Sequence, residues 1–160
     1  MAADSWDAFV GALTDETQAL ALVKEYAGEL TRVLIGGDPL AISIVERKLD
    51  GQRIAYARTT SVRRGMQARG FGQMTLRQVC GYAPRPIALQ MHHRLSELAT
   101  LSIGVGLTVA NNKALIQSGM DRLMKITGAL QKASSDDAGT YRRRGFVPPP
   151  RNSVLVSSSA

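Results

Sequence analysis

The sequence predicts an all-α protein: an antiparallel bundle or coiled coil of long helices, one of about 45 residues, with a flexible C-terminal tail. Two runs of apolar residues spaced alternately three and four apart carry that prediction. Composition is the third observation. Aromatic residues are only 5% of the chain, so the core must come from Leu, Ile, Val, Ala and Met, which suits helices better than a β-sandwich.

The first run is Trp6, Phe9, Leu13, Glu16, Leu20, Val23, Ala27, Leu30 and Leu34. Only Glu16 breaks its apolar character. Ser5 is a good N-cap, and Gly36-Gly37-Asp38-Pro39 stops the helix, predicted over 5–35. A second helix is predicted over 39–64, capped by Asp38, with Leu40, Ile44, Ile54 and Val62 inward and a basic outer face of Arg47, Lys48, Arg53, Arg58, Arg63 and Arg64. Residues 65–74 hold three glycines and read as a mobile connector. No strand precedes them and no Gly-Lys-Ser/Thr follows, which argues against a phosphate-binding loop.

Thr75 caps a short helix over 76–82 with Leu76, Val79 and Cys80 inward, and Pro84 and Pro86 end it. The second run follows: Ala88, Met91, Leu95, Leu98, Ser102, Val105, Val109, Asn112, Ile116, Gly119, Leu123, Ile126 and Leu130. It predicts a helix over 86–132. About 45 residues make a rod of about 70 Å, which the two shorter helices cannot cover in full. Gly104 and Gly106 allow close approach or a bend. Asn112 falls on the seam, where it either fixes register or faces solvent. The domain is thus 1–133, and 134–160 reads as a flexible tail, with an acidic patch, an arginine triplet at 142–144, three prolines and a serine-rich end.

Charge and motifs bound the function. The net charge is +7, yet residues 1–38 carry −5 and the remainder +12. Opposite charges on facing helices explain that split without nucleic acid. The N-terminus lacks a secretory pattern, no run of 18 apolar residues occurs, and the single cysteine excludes an internal disulfide; the expectation is a cytoplasmic protein without membrane insertion. The adjacent His92 and His93 point about 100° apart, and with Cys80 they match no zinc spacing. No nucleophile-elbow, zincin, Walker or dinucleotide motif is present. The acid pairs Asp15/Glu16 and Asp136/Asp137 read as solvated surface, and Cys80 as a buried small hydrophobe. No enzyme, cofactor or metal is expected. The positive signals are for binding: the Leu123, Met124, Ile126, Leu130 stripe is either core or a client surface.

Four segments taken together resemble the FlgN-type export chaperones of the bacterial flagellum. They are Lys48 in the second helix, Thr75-Leu76-Arg77-Gln78-Val79, Asn111-Asn112-Lys113-Ala114-Leu115-Ile116, and Thr140-Tyr141-Arg142-Arg143-Arg144-Gly145, in the family's order across most of residues 10–146. The resemblance implies a cytosolic chaperone that binds the C-terminal helical segments of hook-associated junction proteins and delivers them to the flagellar type III export gate. It implies client contact through Asn112, Ile116, Leu123, Ile126 and Leu130, and a tail contact through Thr140 and Tyr141. Two other readings stay open: a basic helical nucleic-acid-binding protein, and a self-associating coiled coil such as a homodimer.

Overall fold

The computed structural model describes the backbone of residues 3–143 and the side chains of residues 5–134. Among the described residues four helices follow one another: α1 (Ala3–Gly36), α2 (Pro39–Phe71), α3 (Leu76–Tyr82) and α4 (Arg85–Arg143). Among the described residues there is no strand. The chain divides into two compact units, Met1–Ser118 and Gly119–Ala160.

Each boundary has a local cause. Gly37 ends α1 at φ +70°, a left-handed conformation that favours glycine, and its N–H donates to the Val33 carbonyl. The Asp38 carboxylate accepts from the N–H groups of Leu40 and Ala41, and Pro39 occupies the first turn of α2. Thr75 and Gln78 form a reciprocal capping box at the start of α3.

In the first unit, α2 runs antiparallel to α1 and α4 runs parallel to it. The register is set at both ends. Trp6 and Phe9 of α1 stack near Phe71, at the end of α2, with ring centroids 5.1 and 5.8 Å away. Ala27 and Thr31, near the end of α1, meet Asn112 of α4. One core cluster joins Trp6, Phe9 and Leu13 to Val79, Cys80 and Met91, so α3 plugs the base of the bundle. The other joins Leu20, Val23, Ala27 and Leu30 of α1 to Val45 and Leu49 of α2, with Leu98, Leu101 and Val105 of α4 packed on it.

A polar layer lies along the α1–α2 seam. Glu16 and Arg63 are both buried. Arg63 Nε donates to Glu16 Oε2 at 2.6 Å and Nη2 to Oε1 at 3.2 Å. Thr60 Oγ1 also donates to Glu16, at 2.9 Å. The remaining guanidinium nitrogen donates to Gln67 Oε1, and Gln67 Nε2 donates to the Met74 carbonyl, tying the turn before α3 to the seam. The break in the first apolar run is therefore a specific partner site.

Several sequence expectations are corrected here. Glu16 is not solvated, and Arg63 does not belong to the outer face of α2; each is buried because the other neutralises it. Leu40, Ile44, Ile54 and Val62 face outward, with exposures of 47–71%. The buried line of α2 is Val45, Leu49 and Arg63. The glycine-rich connector is helical as far as Phe71, since Met66 and Phe71 pack on the lower core. The helix predicted to end at Lys132 continues to Arg143.

Candidate partner-binding face

Asn112 sits on the line of α4 that faces α1, and it is 5% exposed. Its Nδ2 donates to the Ala27 carbonyl at 2.9 Å, while Oδ1 accepts from Thr31 Oγ1 at 2.6 Å. The Thr31 hydroxyl also lies 3.1 Å from the Ala27 carbonyl. A side-chain amide meeting a main-chain carbonyl and a hydroxyl has little freedom to slide by a turn, so Asn112 fixes the axial register of α4 on α1. Asn112→Leu removes both contacts, while the Ala27 carbonyl keeps the Thr31 hydroxyl as a donor. The expected cost is about 1–3 kcal/mol, read as a lower urea midpoint with an unchanged slope.

As far as Val105 the fold uses this side of α4: Met91 is fully buried, and Leu95, Leu98, Leu101 and Val105 are partly buried, whereas Ser102 and Val109 are exposed. Around Asn112, Val23, Leu30, Leu49, Val105, Val109 and Ile116 line an open groove of about 290 Å³, rimmed by Arg53, Lys113 and Gln117. Ile116 is 41% exposed there. Asn112 and Ile116 are thus brought together, with Asn112 as a structural anchor at the groove floor and Ile116 as an apolar group left accessible.

In the second unit, Leu123, Ile126 and Leu130 are 65%, 57% and 66% exposed. They lie within about 60° of one another around the helix axis, on one stripe. Met120 and Met124 flank it and are exposed as well. Single exposed apolar residues are ordinary, whereas a contiguous line of them makes this stripe the candidate binding surface. Thr140 and Tyr141 lie in the helical backbone of α4, and their side chains are outside the described residues.

The remaining candidates carry less. His92 and His93 are exposed. Among the described residues, no group of three His, Cys, Asp or Glu side chains could hold a metal, and no helix is long and apolar enough to cross a membrane. Cys80 is buried, and loss of solvation pushes its thiol pKa up, only partly opposed by a backbone hydrogen bond. Its reaction with iodoacetamide at mildly alkaline pH is expected to be slow in the native protein and fast in urea; equal rates would show that the base of the bundle is open.

The groove rim and the Glu16–Arg63 pair were not legible as features in advance. Glu16 on an apolar seam was a signal that a cation must face it, and α2 offered several arginines without indicating which. Comparison of the chain with protein-family models, with curated proteins and with solved structures finds no match in any of the three.

Proposed function

We propose that this protein is an export chaperone of the FlgN type, which holds an amphipathic C-terminal helix of a hook-associated junction protein and passes it to the flagellar type III export apparatus. The observation that carries the reading is the run of apolar residues on the second unit's part of α4 that lies outside the core: Leu123, Ile126 and Leu130, 57–66% exposed. Their three- and four-residue spacing is the spacing with which one helix offers knobs to another. A client helix with apolar residues at i, i+3, i+4 and i+7 would bury that line, the helix-in-groove mode of recognition. Met120 and Met124 beside it are unbranched and re-pack readily, which suits clients of differing sequence. No step in such capture needs a cofactor or metal. Thr140 and Tyr141 are proposed to meet the export gate while the client is held. A cytoplasmic location follows from this reading.

The test is titration of fluorescent peptides carrying the C-terminal helices of the junction proteins. Leu123→Asp combined with Ile126→Asp is expected to weaken binding at least about 100-fold, because each places a charge at the centre of a desolvated contact. Stability is expected to stay within about 0.5 kcal/mol, since both side chains are exposed in the free protein. Unchanged affinity in the double variant, or no binding by the parent protein, would refute the assignment.

A further inference from the structure

The outer face of α2 has a regularity that neither the fold nor the client reading absorbs. Leu40, Ile44, Ile54 and Val62 are exposed on the side opposite Val45 and Leu49. Arg47, Arg58 and Arg69 are exposed on the same line. The three arginines recur every 11 residues, which is three helical turns with a drift of only about 20° per step. They therefore stand about 16.5 Å apart along one stripe. Gly51 and Gly65 fall on it too, each with open space where a Cβ would be.

The ion pairs Arg53–Asp50, Arg63–Glu16 and Arg94–Glu97 among the described residues involve none of the three stripe arginines. Asp15 of α1 lines a cleft together with Arg58 and Val62. The stripe is thus cationic and apolar, and Arg47 and Arg69 do not line that cleft with Asp15.

We infer that the outer face of α2 docks an amphipathic helix of another protein whose apolar stripe carries carboxylates at matching 11-residue intervals. Charge selects this occupant. A second copy laid face to face would set arginine lines against each other. An anionic lipid surface would favour cations flanking an apolar face, whereas these arginines lie on the apolar line itself and would be carried to its depth. A partner helix can offer each guanidinium a carboxylate in bidentate geometry while its apolar residues cover Ile44, Ile54 and Val62. This inference concerns a different helix from the client line and stands without it.

The probe is a labelled synthetic helix of about 30 residues, Leu- and Ala-based, with Glu at the arginine spacing; its counterpart has Lys at the same positions. The full-length protein is expected to bind the Glu peptide at least about tenfold more tightly than the Lys peptide. Arg47→Glu, Arg58→Glu and Arg69→Glu together should reverse that preference. Ile54→Ser with Val62→Ser, which leaves the charges in place, should weaken the Glu peptide with the helical signal unchanged. No binding, equal binding of the two peptides, or a preference unmoved by either variant would overturn the inference. So would stronger capture by phosphatidylglycerol vesicles or duplex DNA than by the Glu peptide, or a dimer in light scattering that the triple variant abolishes.

Discussion

Glu16→Leu is expected to destabilise the protein by about 3–5 kcal/mol, because it leaves the Arg63 guanidinium buried without its carboxylate. The side chains of the pair are only 9% and 4% exposed, so water cannot take the place of the lost partner. Thr60 loses its acceptor in the same substitution. Arg63→Met should cost a similar amount, leaving a buried carboxylate and freeing Gln67. The double variant Glu16→Leu with Arg63→Met removes both charges and is expected to be close to the parent in stability, or above it, since well-packed apolar replacements of a buried pair often are. Urea denaturation of the four proteins of the cycle gives the coupling directly. Singles costing less than about 1 kcal/mol would mean that the seam is wet and the pair behaves as a surface bridge.

Phe9→Ala is the second large effect, expected to cost about 3–5 kcal/mol. Phe9 is 1% exposed, packs among the lower-core residues and meets the Phe71 ring edge-on at 5.8 Å. Truncation opens a cavity where α1, the end of α2, α3 and the start of α4 converge, a site with little room to collapse. Leu123→Ala removes an apolar side chain of similar character and should move stability by no more than about 0.5 kcal/mol. The pair of experiments separates apolar residues that hold the fold from apolar residues outside its core. A cost at Leu123 comparable to that at Phe9 would place it in a core instead.

The helical architecture was legible because it is written in spacing. The alternation through Trp6, Phe9 and Leu13, and again through Met91, Leu95 and Leu98, identifies α1 and α4 and the faces they bury. The capping signals at Asp38 and Thr75 placed two helix starts correctly. The face of α2 was not legible, because both sides of that helix carry apolar residues and arginines. What decides between them is a tertiary fact: Glu16 on α1 demands a cation, and only the line of Val45, Leu49 and Arg63 supplies one in register. Composition also misled at residues 65–71, where glycine suggested a break and packing of Met66 and Phe71 on the lower core keeps the helix intact. For the candidate site, helix length arithmetic pointed to uncovered apolar residues on α4, and Ile116, Leu123, Ile126 and Leu130 are exposed. The double hydrogen bond of Asn112 to α1 needed the three-dimensional register, since a seam asparagine can equally face solvent.

The proposed function requires a client helix to cover the exposed Leu123, Ile126 and Leu130 stripe of α4. Hydrogen–deuterium exchange, with and without a junction-protein C-terminal peptide, tests it residue by residue. Protection on adding the peptide is expected to concentrate in residues 113–130, with the lower-core segments around Phe9, Val79 and Met91 unchanged. Saturating peptide that leaves 113–130 exchanging as in the free protein would contradict the account.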